Sequence, residues 1–136
     1  MRVVMADHQA GVRSALRLLA THVLGLQVVG EVTAATDLWT QVQDARPDLL
    51  LLEWDLLGAG AGAALARVHA LYPNMWVIVL SCQPEVHRHA LAAGADAFVC
   101  KADSPEQTIK TLRAVCAHGG VGRATDDGAM TEGADD

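Results

Sequence analysis

Five apolar runs of strand length recur along the chain, at positions 2–6, 27–32, 48–52, 75–80 and 95–100. Most are rich in Val, Leu or Ile, and three are nearly continuous apolar blocks. Continuous runs suit strands buried on both faces, as in parallel sheets, whereas a half-exposed strand alternates. Between the runs the apolar residues adopt helical spacing. One stripe joins Val12, Leu16, Leu19, Ala20 and Val23, with Arg13 and Arg17 off it. A second joins Leu38, Trp39 and Val42 after a candidate cap at Thr36, and a third joins Leu65, Val68, Leu71 and Tyr72. A fourth, Val86, Ala90 and Leu91, is entered through Pro84, which suits a first helical turn. The fifth, Ile109, Leu112, Val115 and Cys116, starts at Ser104-Pro105, a cap followed by a first-turn proline. Gly94 and Gly119 stand where the last two helices should stop. The alternation predicts an α/β fold: a doubly wound (βα)₅ unit with a five-stranded parallel sheet and helices on both faces.

Composition limits this picture without redirecting it. The chain has 136 residues, 51% of them hydrophobic and 19% charged, enough apolar material for the core of one domain. The formal net charge is −6. Positions 120–136 carry Asp126, Asp127, Glu132, Asp135 and Asp136 against Arg123, so −4 of the −6 lies there and −2 in the rest. The expected domain is therefore 1–119, with 120–136 an acidic disordered tail or linker stub. An acidic chain is not expected to hold nucleic acid by itself. The apolar runs are too short for a bilayer span, and Asp7 comes too early for a signal peptide. Cys82, Cys100 and Cys116 lack CxxC spacing and read as reduced thiols, so a cytoplasmic location is expected.

In an open α/β sheet, ligands bind at the carboxyl ends of the strands. The first run ends in Asp7-His8, the third in Glu53-Trp54-Asp55, the fourth in Ser81 and the fifth in Lys101. Two carboxylates, an imidazole, a hydroxyl and an ammonium converging on one edge suggest a phosphate or metal site. Single polar residues at strand ends are commonplace; four of these types together carry more weight. The glycines Gly58, Gly60 and Gly62 look like a phosphate loop only superficially, because the lysine of that motif is missing.

The stretches VVMADHQAGVR (3–13), VVGEVTAATDLW (28–39), RPDLLLLEWDLLGAG (46–60), VIVLSC (77–82) and AGADAFVCKADSPEQ (93–107) resemble the response regulator receiver domain, the CheY-like module of two-component signalling. The resemblance runs from residue 1 to about 119. It implies the flavodoxin-like, CheY-like fold with strand order 2-1-3-4-5. Ser81 matches the family's switch hydroxyl, Lys101 the lysine that pairs with the acceptor carboxylate, and Phe98 the switch aromatic.

Besides Leu57, which replaces the usual proline after the third strand's turn, two site positions depart from the family. The phospho-acceptor aspartate is replaced by Glu53, one methylene longer, which disturbs the alignment that phosphoryl transfer depends on. The acid pair that holds Mg²⁺ is here Asp7-His8, with the imidazole at the position of the direct ligand, a poor substitute for oxygen. Mg²⁺, if bound, would use Asp7, Glu53 and the Asp55 position, where the family offers a backbone carbonyl. No cofactor is otherwise expected. His8 could instead join Asp7 and Glu53 around a transition ion; a loop histidine that offsets Glu53 is the plainer reading.

These residues lead to an atypical pseudo-receiver, not an enzyme, acting by phosphorylation-independent protein contact. Glu53, Lys101 and Ser81 would form a permanent charge arrangement. A decayed acceptor in a domain kept for dimerisation is the competing account. Partners would be a histidine kinase, an effector or a second copy, met through the helix 4–strand 5–helix 5 face with Val86, His87, Ala90, Phe98, Lys110, Thr111 and Arg113. Three alternatives stay open: a functional phospho-acceptor using Asp7 or Asp55, the regulatory part of a helix-turn-helix transcription factor, and a flavodoxin-like cofactor binder.

Overall fold

The computed structural model describes residues 1–119. Strand β1 (Arg2–Ala6) leads into helix α1 (Ala10–Leu18), which continues as one π-helical turn over Leu19–Val23. Strand β2 (Gln27–Val32) is followed by a 3₁₀ turn at Ala35–Asp37 and helix α2 (Leu38–Ala45). Strand β3 (Leu49–Glu53) passes through a 3₁₀ segment, Trp54–Gly60, into helix α3 (Ala61–Leu71). Strand β4 (Trp76–Ser81), helix α4 (Val86–Ala92), strand β5 (Ala97–Cys100) and helix α5 (Pro105–Gly119) complete the series. All neighbouring strands pair in parallel, in the order β2-β1-β3-β4-β5. The expected α/β topology is therefore the one observed. The acidic stretch 120–136 lies outside the described residues.

The period-2 geometry of the strands divides the core into two layers. Val4, Ala6, Leu50, Leu52, Val77 and Val79 face α2, α3 and α4, where they meet Leu38, Val42, Leu65, Val68, Val86 and Ala90. Val3, Met5, Leu49, Leu51, Ile78 and Leu80 face α1 and α5, where they meet Leu16, Ala20, Leu112 and Val115. Central β3 is buried at every position, which is why its sequence is a continuous leucine run ending in Glu53.

Several local expectations shift. Thr36 does not cap α2; that helix starts after the 3₁₀ turn without a side-chain cap. Three strands begin one or two residues later than the apolar pattern implies. Asp48 tethers the entrance of β3, accepting the Arg2 N–H on Oδ2 at 2.7 Å and donating its own N–H to the Arg2 carbonyl at 2.8 Å. Asp96 does the same before β5, accepting the Val77 N–H on Oδ2 at 2.8 Å. At α5 the expected start holds: Pro105 is the first residue, and Ser104 Oγ accepts the Gln107 N–H at 3.2 Å. Trp39 and Trp76 are half-buried at the edges of the layers.

Candidate functional site

The carboxyl ends of β1, β3, β4 and β5 bring Asp7, Glu53, Ser81 and Lys101 to one edge of the sheet. Asp7 continues the line of β1, donating its N–H to the Val32 carbonyl at 3.0 Å, and is fully buried. Its Oδ1 accepts the Gln9 N–H at 2.8 Å, which closes the turn into α1 as an aspartate turn does. Arg13 Nη1 donates to the Asp7 carbonyl at 2.8 Å and holds the turn from the α1 side. Glu53, the last residue of β3, is 1% exposed.

Lys101 binds this pair of acids together. Its Nζ donates to Glu53 Oε2 at 2.8 Å and to Gln9 Oε1 at 2.7 Å. It also lies 2.7 Å from Asp7 Oδ2, an ion pair without an aligned hydrogen bond. The other oxygen of Glu53 is occupied as well. Oε1 accepts the His8 backbone N–H at 2.9 Å and faces His8 Nδ1 at 2.6 Å. The His8 ring is 57% exposed, so it covers the carboxylate from the solvent side.

Burial is the largest influence on Glu53 and pushes its carboxyl upward. The Lys101 ammonium and the two His8 hydrogen bonds outweigh it and leave the group below its usual range. Burial likewise works against the Lys101 charge, but Asp7 and Glu53 prevail and raise the ammonium above its usual value. With His8 neutral, Asp7, Glu53 and Lys101 sum to −1. The expected pairing of Glu53 with Lys101 is present in the structure. Ser81 does not join it. The hydroxyl is fully buried and accepts the Gln83 N–H at 3.0 Å, bracing the turn into α4. Asp55 is exposed in the 3₁₀ segment, and its side chain stands outside the cluster.

One histidine and two carboxylates, with an oxygen of each acid spent on an ammonium, do not fit Mg²⁺, which prefers oxygen ligands in near-ideal octahedral geometry. Phe98 is half-buried beside the layer under α4, and the His87 ring stacks on it at 4.8 Å with 10° between the planes. Of the residues expected on the helix 4–strand 5–helix 5 face, His87, Lys110 and Arg113 are exposed, and Thr111 is half-buried. Val86 and Ala90 correct that expectation. They form the inward side of α4, 5% and 0% exposed, so they cannot meet a partner. Cys82 is exposed, and Cys100 lines a cleft between α1 and α5.

Gln9 is the site residue that the sequence reading misses. Its only signal was an amide at the N-terminal boundary of α1, directly after the paired Asp7-His8.

The response regulator receiver domain model matches residues 3–113. The chain is 29% identical over 122 residues to the uncharacterized transcriptional regulatory protein YhcZ of Bacillus subtilis, covering 88% of this chain and 56% of that protein. It is 25% identical over 118 residues to the oxygen regulatory protein NreC of Staphylococcus epidermidis, covering 85% and 54%. The chain thus spans about half the length of these relatives. Among solved structures, the isolated receiver domain of RcsB from Salmonella enterica superposes with a TM-score of 0.77 at 21% identity, covering 86% of this chain and 88% of that one. A CheY-like receiver domain protein from Methanospirillum hungatei superposes with a TM-score of 0.71 at 21% identity, covering 87% and 94%. No helix among the described residues is long and apolar enough to cross a membrane. With the βα order, the strand-end residues and the family match in agreement, this chain belongs to the response regulator receiver domain family of two-component signalling.

Proposed function

We propose that this receiver signals without accepting a phosphoryl group and acts through protein contacts that phosphorylation does not control. The observation that carries the reading is the state of Glu53: one carboxylate oxygen serves Lys101 and the other serves two groups of His8. An attacking carboxylate must present a free oxygen in line with phosphorus, and positioning supplies most of the catalysis in such transfers. Glu53 would have to break charge-assisted bonds in a buried site before it could attack. Asp7 is no better as an acceptor, being fully buried with both oxygens engaged. Asp55 is exposed, and the ion pairs of Lys101 are with Asp7 and Glu53.

The contact surface on this reading is the exposed side of α4, β5 and α5, with His87, Lys110 and Arg113 around the half-buried Phe98 and Thr111. Its partner is a histidine kinase, an effector or a second copy. The half-length coverage of proteins named as transcriptional or oxygen regulators favours a second, compatible reading, in which the chain is the regulatory part of a transcription factor. On that reading any DNA contact comes from outside residues 1–119.

The test is incubation with acetyl phosphate, or with beryllofluoride, in the presence of Mg²⁺. The expected result is no mass adduct and no change in the amide NMR spectrum. Stoichiometric Mg²⁺-dependent labelling of any aspartate or glutamate overturns the reading.

A further inference from the structure

On the side of the sheet covered by α1 and α5, the two helices part around a cleft of about 350 Å³. Leu16 and Leu19 line its α1 wall, and Leu80 of β4 and Val99 of β5 line it from the sheet. The winding of α1 changes from α to π at Leu19, and π turns recur at functional sites. A volume of this size falls in the range of small-molecule pockets, which are mostly apolar with a few placed polar groups. Two such groups are present, Thr108 and Asp103. Thr108 is 6% exposed. The side-chain hydrogen bonds at the start of α5 run through Ser104 and Thr111, and the Thr108 hydroxyl makes none among the described residues. A buried hydroxyl left in that state is one that an incoming hydrogen bond would satisfy.

Charge narrows the ligand further. Asp103 is half-buried, its Oδ2 accepts the Cys100 N–H at 3.3 Å, and no cation pairs with it among the described residues. Lys101, the other charged residue of the lining, is spent on Asp7 and Glu53. Asp7, Glu53, Lys101 and Asp103 sum to −2, which repels an anion. We infer that the cleft between α1 and α5 binds a compact apolar molecule that carries one hydrogen-bond donor and no negative charge. Its apolar body rests on Leu16, Leu80 and Val99, and its donor meets the Thr108 hydroxyl beside Asp103. A protein partner needs about 800 Å² of matching surface on each side. Next to the lining residues in α1 and α5 stand the exposed and polar Ser14, Arg17, Glu106 and Gln107, so the apolar lining does not extend into a surface of that breadth. The inference goes beyond the phosphate-independent reading and does not rest on it. Labelling by acetyl phosphate would leave this cleft intact, and an empty cleft would leave Glu53 as engaged as before.

The experiment titrates the full chain with indole, with benzofuran, which has the same shape but no donor, and with indole-3-carboxylate, which adds a negative charge. Amide NMR signals report the binding. The expected result is one saturable indole equivalent with a Kd of about 1 mM or tighter, a modest demand on a ligand of this size. Its shifts should centre on Leu16, Val99 and Thr108. Benzofuran should bind about three- to tenfold more weakly, the factor that one hydrogen bond supplies, and the carboxylate more weakly still. Thr108→Val should bring indole down to the benzofuran level. Ala15→Phe, at an exposed position on the cleft rim, should keep the fold and block both. Absence of saturable indole binding overturns the inference, as do shifts centred elsewhere or equal affinity for indole and benzofuran. Sedimentation provides a further check: a dimer that Ala15→Phe dissociates would assign the cleft to a second copy and overturn the inference as well.

Discussion

Lys101 carries more of this molecule than its single charge suggests. It is 8% exposed and stands against two carboxylates that are 0% and 1% exposed. Breaking a buried ion pair from one side costs about 3–5 kcal/mol, because the stranded charge has lost its solvation. Lys101→Met strands two charges of like sign. We expect it to lose at least that much in urea unfolding at pH 7. The pH dependence has a definite sign. Glu53 is held below its usual value, so its contribution to stability is present above about pH 4.3 and is lost as the pH falls through the folded value. In Lys101→Met, burial acts on Glu53 with less opposition and its carboxyl rises. The difference between the two proteins should therefore shrink as acid protonates the site. A constant difference from pH 7 to pH 4 would refute this account. The pairing of Lys101 with Glu53 was legible in the sequence, because strand-end residues of a parallel sheet converge and the family resemblance names the partners. The Gln9 amide and the two His8 donors on one oxygen were not. Both depend on how the turn after β1 folds back, which no residue spacing encodes.

At the scale of elements, the corner between α4 and β5 shows how local and distant constraints meet. Gly94 was readable as a helix stop, and it takes φ +112°, a conformation that side-chain-bearing residues avoid. What the sequence conceals is its neighbour. A Cβ at Gly94 would lie 2.6 Å from Cδ2 of His69, a residue of α3 that comes 25 positions earlier. Gly94→Ala therefore meets backbone strain and a collision. We expect a loss of about 1–3 kcal/mol, the scale of a residue forced into a sparsely populated region. His69→Ala in the same chain should recover the collision part and leave the backbone part. If the double variant shows no coupling, the collision is irrelevant and strain alone explains the loss. The same gap between local and distant information accounts for Val86 and Ala90. The apolar stripe of α4 was visible, but a stripe does not say whether it faces the core or a partner. Only the packing of α4 on Val77 and Val79 decides that, by burying both residues.

For the whole molecule, the question is whether residues 1–119 suffice. The two layers on either side of the sheet close within this span. Leu112 and Val115 of α5 complete one of them, and the side chains of α2, α3 and α4 complete the other. The edge strands β2 and β5 are reached by short connections, so the sheet waits for no later segment. Positions 120–136 hold −4 of the −6 formal charge and few large apolar residues, which leaves residues 1–119 at −2. Removing them takes away mutual repulsion among acids, and both layers are complete among the described residues. A chain ending at residue 119 should therefore unfold in one cooperative step, with a Tm within about 2 °C of the full chain, since a shift of that size corresponds to only about 0.5 kcal/mol in a domain this long. The urea m-value should also be unchanged, because it follows the surface exposed on unfolding. A Tm lower by more than about 5 °C, or a smaller m-value, would mean that 120–136 covers apolar surface on the folded part. The half-buried Trp76, close to the end of α5 through its stacking with His118, would be the first place to look for that contact.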